Sequence, residues 1–479
     1  MKKTTIFLRF TSFVLIFAVL FLAVTEVLQD KRVVLEYDVT SKVKGFYEEP
    51  DNTLDFVFVG SSQLYASIAP NVLFEEFGIT SYDFAANEQP MWISYYYIKE
   101  ALKHQNPKAI VLDVFTVYGE TYEQEGATHI NLDDLPWNLN KIMAIRASVP
   151  KENRGSFYFE LVKYHDTWNT LDEHKVMSSF WNKRNVYRGY SPFVVAHDYR
   201  ETAPEEVVSQ TEREPMGAMA KEWLDKIVTL CQDENVDLIL VKTPNGHAER
   251  QKLYLSVEDY AKEKGIPFLN MNTVFDGEAH VNILQAEKIS RYVGEYLSGK
   301  YEITDKRKDP AFAQWHEDSA YFYHKKDMCV QISTEHIAEY FRTLADKEWI
   351  TMFAMEKTDS VTFSEEEKEA LAALGITPDY EAEGPWCYLV LLKNGVPYKE
   401  AVQVDGPYEE TILLDGHEFK LMYEQKDDGN MVAGMDMDGK NYCMRHKGIN
   451  VFIFDPLLDE SVEYAAFDTF SGAQAIRAQ

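Results

Sequence analysis

Two distant segments of the sequence carry the residue types that nucleophilic acyl chemistry needs. Ser62 follows an apolar run and Gly60, and His280 lies in a later segment that also contains Asp276. A serine hydroxyl attacks a carbonyl when a histidine takes its proton, and a carboxylate can hold that histidine in the required tautomer. These residue types suggest a Ser62–His280–Asp276 triad. A helix N-cap is the alternative role for Ser62, since serine is common at that position.

The elements that would position these residues alternate between short apolar runs and segments of helical period. Five strands are expected, at residues 54–60, 81–84, 109–115, 236–241 and 267–271. Strands of this kind with helices between them predict a flavodoxin-like three-layer α/β sandwich, whose ligands bind at the carboxyl ends of the strands. Ser62 follows the first strand and His280 follows the last, so both are expected at that edge.

Four blocks of the sequence carry a family resemblance, at residues 60–70, 82–90, 109–114 and 280–297. They resemble SGNH (GDSL-type) hydrolase-like proteins of cell-surface polysaccharide systems. The resemblance implies a serine ester hydrolase or O-acyltransferase in which Ser62 is the nucleophile and His280 the base. It also implies that the Ala85 amide, with Asn87 or Gln89 as the side-chain donor, binds the oxyanion. Acetyl-like groups of a surface polysaccharide are the implied substrate.

Some positions depart from the family pattern. The family spacing is Asp-x-x-His, whereas Asp276 and His280 are one residue further apart, and Glu278 is too close. The Gly-x-Asn-Asp block is absent after Leu112. A catalytically decayed scaffold, or a glycan-binding protein in a polysaccharide-assembly complex, is therefore the alternative function.

The N-terminus reads as a membrane segment. Lys2 and Lys3 precede a charge-free, mostly apolar run at residues 10–25. A bilayer span takes about 17–25 residues, and Arg9 can lengthen the usable run by reaching the headgroups. We expect an uncleaved single-pass anchor in the cell membrane, with the lysines cytoplasmic and the catalytic domain extracytoplasmic. A cleaved signal peptide is the alternative, although residues 23–25 fit a cleavage site poorly.

Changes in sequence pattern along the chain predict its division into domains. The expected parts are the membrane segment 1–32, an SGNH-like domain 33–303 with a helical, aromatic-rich insertion at about 118–214, a linker 304–333 and an α+β domain 334–479.

The C-terminal part carries its own signals. Ser364 is expected to cap a helix, with Glu367 completing a capping box. Residues 340–392 and 447–469 resemble an interleukin-like EMT inducer domain in permuted order. Domains of that type are lectin-like in some proteins, so the resemblance implies glycan binding, and a purely structural role is the alternative.

Composition excludes some partners. The formal net charge is −30 and no Lys/Arg-rich stripe occurs, so no nucleic-acid partner is expected. The cysteines lack C-x-x-C spacing and no histidine–carboxylate group has ligand spacing, so no metal and no other cofactor is expected. The expected partners are a cell-surface glycan, the membrane and a polysaccharide-biosynthesis complex.

Overall fold

The protein is a mixed α/β chain with one parallel sheet, antiparallel sheets and an apolar N-terminal helix. The computed structural model describes residues 2–29, 33–34, 37–121, 125–171, 176, 179, 184–357, 363–383, 386–404, 406–425, 431–444, 448–467 and 475–477. These residues form two compact units. Unit 1 comprises Met1–Phe193 and Asp198–Ser319, and unit 2 comprises Val194–His197 and Ala320–Gln479.

The N-terminal helix α1 spans Lys2–Leu28. Its stretch Thr5–Leu28 contains an 18-residue window with a mean hydropathy of 2.5, so it is long and apolar enough to cross a membrane. A signal sequence near the N-terminus has the same length and composition. Two short paired strands follow, β1 (Val33–Val34) and β2 (Tyr37–Asp38).

A five-stranded parallel sheet forms the centre of unit 1. Its strands are β3 (Phe56–Val59), β4 (Ser81–Asp83), β5 (Ala109–Asp113), β6 (Asp237–Lys242) and β7 (Phe268–Asn270). They lie in the order β4-β3-β5-β6-β7, which is an order of doubly wound sheets. The sequence therefore predicted all five strands: four have bounds slightly too wide, and the fourth, β6, is shifted by one residue.

Burial explains the apolar sequence of the interior strand β3. All of β3 is buried, as is expected of a strand covered on both faces. In parallel register, Phe58 pairs with Asp83 of β4 and Val59 pairs with Leu112 of β5. Since parallel strands end at one edge, the segments that follow β3, β4, β5 and β6 lie together there.

Helices surround this sheet in unit 1. After α1 they are α2 (Val39–Phe46), α3 (Ser62–Tyr65), α4 (Pro70–Phe77), α5 (Met91–His104), α6 (Glu125–Leu132), α7 (Leu139–Ser148), α8 (Arg154–Tyr158), α9 (Leu161–Tyr164), α10 (Glu205–Val208), α11 (Ala218–Asp233), α12 (Ala248–Lys264) and α13 (Ile283–Lys300). The predicted insertion supplies α6 to α10 and, in its described residues, no strand. Its residues 122–124, 172–175, 177–178 and 180–183 lie outside the described ones.

Most of the predicted linker 304–333 is a helix, α14 (Ala313–Ser333). Its side chains Trp315, Phe322 and Cys329 are buried. These three residues recur every seven positions, a helical spacing that the polar segment before them concealed.

Unit 2 is built on two antiparallel sheets. Its strands are β8 (Ile350–Lys357), β9 (Trp386–Lys393), β10 (Val396–Val404), β11 (Tyr408–Leu414), β12 (His417–Gln425), β13 (Met431–Met437), β14 (Lys440–Asn441), β15 (Gly448–Asp455), β16 (Glu460–Phe467) and β17 (Ala475–Arg477). One sheet has the order β10-β9-β8-β15-β16-β17 and the other β11-β12-β13-β14. Two helices accompany them, α15 (Ile337–Thr343) and α16 (Glu365–Ala373).

Candidate functional site

Ser62 begins the short helix α3 directly after the turn that ends β3. Ser61, with extended backbone, is the N-cap, and its hydroxyl accepts from the Gln63 amide at 3.3 Å. The cap is therefore Ser61, and Ser62 does not have the N-cap role that was its alternative. Its side chain is 7% exposed and hydrogen-bonds with that of Tyr65.

Gly60 brings this turn against Asp113 at the end of β5. A Cβ on Gly60 would lie 2.4 Å from the Asp113 Cβ, which is closer than packed carbon atoms approach. Asp113 Oδ2 accepts from the Ser61 hydroxyl at 2.5 Å and from the Ser61 amide at 3.3 Å. Burial raises the pKa of the Asp113 carboxyl, against the lowering effects of Lys242 and of these hydrogen bonds. Asp113 thus anchors the residue before Ser62, a role that the sequence did not reveal.

Gln63 connects the same turn to the segment that carries His280. Its Nε2 donates to the Ala279 carbonyl, and its Oε1 accepts from Lys242 Nζ at 3.3 Å. The Gln63 side chain is buried, so water does not compete for these bonds. The residue after Ser62 is therefore bonded to the residue before His280, and the two segments meet at the carboxyl edge of the sheet.

The His280 ring packs against Phe193. The ring centroids are 4.8 Å apart and the planes are inclined by 26°. Within the described part of the chain, the ring makes no hydrogen bond with Ser62 or with Asp276. Burial lowers the pKa of His280, which keeps the imidazole neutral near pH 7. A neutral imidazole is the form that a general base requires.

Asp276 is engaged with backbone atoms. Its Oδ2 accepts from the Arg200 amide at 3.0 Å, and its carbonyl accepts from Gln285 Nε2 at 2.7 Å. Asn282 caps α13, its side chain accepting from the Gln285 amide at 3.0 Å. These bonds hold the loop before α13 in place. The three predicted residues thus lie on segments that meet at one edge, while the hydrogen bonds of a triad are not formed.

Ala85 and its neighbours lie beside the Ser62 turn. The amide of Ala86 donates to the Gly60 carbonyl at 3.1 Å, which ties the loop after β4 to the turn after β3. Glu88 in this loop has a φ of 50°, an uncommon value for a residue with a side chain. The loop is therefore held close to Ser62, as an oxyanion donor must be.

The two side-chain donor candidates differ in their surroundings. Gln89 is fully buried, and its Oε1 accepts from the Ser94 hydroxyl at 3.1 Å. Asn87 is partly exposed, and its carbonyl accepts from Asn131 Nδ2 at 2.8 Å. Because a substrate must reach the donor, Asn87 is the better placed of the two.

The sequence analysis missed a second pair of groups, Asp83 on β4 and Lys42 beside the Tyr65 ring. Asp83, at the end of β4, is fully buried, and burial raises the pKa of its carboxyl well above the usual value, with Lys42 opposing the shift. Lys42 donates to the Ser191 hydroxyl and lies 4.5 Å from the centre of the Tyr65 ring. Asp83 lies in the 82–90 block of the family resemblance, whereas Lys42 precedes all four blocks. No local sequence signal therefore links the two residues.

Comparison with family models, with curated proteins and with solved structures finds no match for this chain. Among the described residues, no three His, Cys, Asp or Glu side chains are grouped so that they could hold a metal ion.

Proposed function

We propose that this chain is a membrane-anchored, extracytoplasmic serine esterase or O-acyltransferase of the SGNH type, acting on acetyl-like groups of a cell-surface polysaccharide. One observation carries the proposal: the Gln63–Ala279 hydrogen bond, which joins the segments of Ser62 and His280 at the carboxyl edge of a doubly wound sheet. Ligands of such sheets bind at that edge. The apolar helix α1 supports the membrane location.

In the proposed reaction, Ser62 Oγ attacks the ester carbonyl carbon while His280 takes its proton. The bond to the leaving alcohol breaks, and His280 returns the proton to that alcohol. The acyl group on Ser62 then passes to water in an esterase or to a sugar hydroxyl in a transferase. The Ala85 amide and the Asn87 side chain would stabilise the carbonyl oxygen as it becomes negative.

This reaction needs a rearrangement of side chains. His280 would turn from Phe193 towards Ser62, and the Asp276 carboxylate would exchange the Arg200 amide for a ring nitrogen of His280. Hydrogen bonds of catalytic groups are often formed only when substrate is bound, so the present geometry is compatible with the proposal.

A fluorophosphonate probe, which reacts only with an activated serine, tests the nucleophile. We expect the full-length protein to be labelled, the Ser62→Ala variant to lose labelling, and Ser209→Ala, at an exposed serine, to keep it. Labelling that survives in Ser62→Ala would refute the assignment. Release of acetate from an aryl acetate, measured with and without an oligosaccharide acceptor, then separates hydrolysis from transfer.

The second candidate function is a catalytically inactive scaffold or glycan-binding protein of a polysaccharide-assembly complex. It is favoured by the packing of His280 on Phe193 and by the engagement of Asp276 with the Arg200 amide. In that case the folded wild-type protein would bind an oligosaccharide and resist the probe.

A further inference from the structure

Part of the predicted insertion exposes large apolar side chains. Six of them form what we call the apolar rim: Trp137, Leu139, Phe159, Val162, Trp168 and Leu171. Leu139 is 71% exposed and Trp168 is 63% exposed. Single exposed apolar residues are normal, whereas grouped ones are typical of a binding or membrane surface, and all six of these lie within residues 137–171.

The end of α1 is attached to the same segment. The Thr167 hydroxyl, next to Trp168, donates to the Leu28 carbonyl at the last residue of α1. Gln29 Nε2 donates to Asp134 Oδ1 at 3.3 Å. The apolar helix therefore ends against the segment that carries the rim.

A salt bridge reinforces this attachment. Lys44 pairs with Glu26, in the last turn of α1, and its Nζ lies 3.4 Å from Asp134 Oδ1. Burial lowers the pKa of Lys44, but the two carboxylates more than offset this and raise it overall, so the amine stays charged. The point where α1 meets unit 1 is thus fixed by ionic and hydrogen-bonding contacts and not by chain connectivity alone.

The rim residues belong to one packed body. Lys141 Nζ lies 4.4 Å from the centre of the Trp137 ring and donates to Glu160 Oε1 at 3.0 Å, next to Phe159. The Tyr164 hydroxyl, in α9 with Val162, donates to Asp133 Oδ2 at 2.6 Å. A displacement of this body would therefore carry the rim with it.

We propose that the apolar rim lies in the interfacial layer of the bilayer that α1 enters, so that the insertion is a membrane-contacting element. This inference rests on the proposed membrane anchoring by α1. Because Leu28 both ends the apolar helix and contacts Thr167, the adjacent rim residue Trp168 is held near the level where the chain would leave the hydrocarbon. Tryptophan favours that layer, since its ring is apolar and its N–H is polar.

The occupant of the rim is lipid acyl chain and headgroup, recognised by apolar contact. The formal net charge of −30 opposes attraction to anionic headgroups, so electrostatics would not supply the binding energy. The contact should therefore form on zwitterionic phosphatidylcholine and persist when salt is raised.

Fluorescence quenching by brominated lipid tests the proposal on the full-length protein in phosphatidylcholine nanodiscs. Helix α1 contains no tryptophan, so any quenched emission comes from the rest of the chain. We expect lipid brominated near the headgroup to quench the wild type and a Trp223→Phe control equally. The Trp137→Phe/Trp168→Phe double variant should lose most of that quenching. Both substituted residues are exposed, so folding is retained.

Two results would overturn the inference. The first is an absence of quenching in the wild type, which is expected if the rim binds a membrane protein instead of lipid. The second is quenching in the double variant that equals that of the wild type. Sequencing the N-terminus of the reconstituted protein shows separately whether α1 is retained, and its loss would remove the anchoring on which the rim depends. Probe labelling of Ser62 is independent of the rim, so failure of catalysis and failure of membrane contact give different results.

Discussion

At the residue scale, the adjacent serines Ser61 and Ser62 have different roles. Ser61 is tied to Asp113 and to the Gln63 amide, so it holds the turn. The Ser62 side chain hydrogen-bonds instead with the side chain of Tyr65. It can exchange that partner without opening the turn. Ser61 thus holds the turn while the Ser62 hydroxyl has a single exchangeable partner, and this difference favours Ser62 as the nucleophile.

The burial of His280 predicts the pH at which activity is lost on acidification. Burial lowers the pKa of its imidazole from 6.5, so the neutral base persists to lower pH than for an exposed histidine. We expect kcat/KM for an aryl acetate to rise with pH with a midpoint below 6.5. Phe193→Ala, which uncovers the ring, should move the midpoint upwards. A wild-type midpoint at or above 6.5 would contradict this role.

Replacing Gln63 is expected to lower both the stability of the fold and the reactivity of Ser62. In Gln63→Met the Ala279 carbonyl and Lys242 lose a buried partner, which costs about 1–3 kcal/mol in the free energy of unfolding. The rate of probe labelling should fall as well, because the His280 segment is no longer fixed beside Ser62. Denaturant unfolding and labelling kinetics on the same preparations measure the two effects.

Gln105→Met is the matched control for Gln63→Met. Gln105 is also buried, and its Oε1 accepts from the amides of Thr53 and Leu54 at 3.0 and 3.1 Å, before β3 at the opposite edge of the sheet. We expect a similar loss of stability with an unchanged labelling rate. Equal effects of both variants on labelling would show that Gln63 does not position the site.

At the element scale, the turn between β3 and α3 depends on Gly60. In Gly60→Ala the new methyl group meets the Asp113 Cβ at 2.4 Å, and we expect a loss of about 1–3 kcal/mol in unfolding free energy. Gly299→Ala, near the end of α13 with no atom within 4 Å of the added Cβ, should instead be neutral or stabilising. Thermal unfolding of both variants checks the contrast, and a Gly60→Ala protein as stable as the wild type would argue against this close packing.

The capping box of α16 offers a prediction in unit 2. Ser364 accepts from the Glu367 amide at 3.2 Å while the Glu367 carboxylate accepts from the Ser364 amide at 2.8 Å. Ser364→Ala should cost about 1 kcal/mol in unfolding free energy. Ser364→Asp, which retains a capping oxygen, should lose much less, and equal losses in both variants would contradict the capping role.

The strands and the helix cap that the sequence predicted correctly are those with a local sequence pattern. Buried strands read as apolar runs, and the Ser364–Glu367 spacing predicted the cap that the structure has. The contacts of the site are of another kind: Gln63 meets Ala279, and Phe193 meets His280, across long stretches of chain. Such pairs have no local pattern, so the sequence named the residues and not their geometry.

The whole molecule carries a formal net charge of −30, and its sequence pI is about 4.8. Mutual repulsion of these charges destabilises the compact state, and it weakens as the pH falls towards the pI. Burial also raises the pKa values of the Asp83, Asp113 and Asp134 carboxyls. Both effects predict a folded chain that is more stable in mild acid than in mild base.

Asp134 allows the titration part of this effect to be isolated. Burial raises the pKa of its carboxyl to about 7, against the lowering effect of Lys44. An aspartate in the unfolded chain titrates near about 4, so between these values the folded state binds a proton that the unfolded state releases. The stability contributed is therefore full below about pH 4 and is lost as the pH rises through about 7.

We accordingly expect the Tm of the wild type to decrease as the pH is raised from about 5 to about 8. Asp134→Asn cannot ionise but keeps an oxygen for Gln29, so the fall should be smaller in this variant. Asp233→Asn removes the carboxylate of an exposed residue at the end of α11, which faces water in the folded and the unfolded chain, so it should leave the slope unchanged. Calorimetry across the pH range measures all three proteins. A Tm that rises towards pH 8, or an Asp134→Asn slope equal to that of the wild type, would mean that Asp134 is ionised in the folded chain and stabilised there by Lys44.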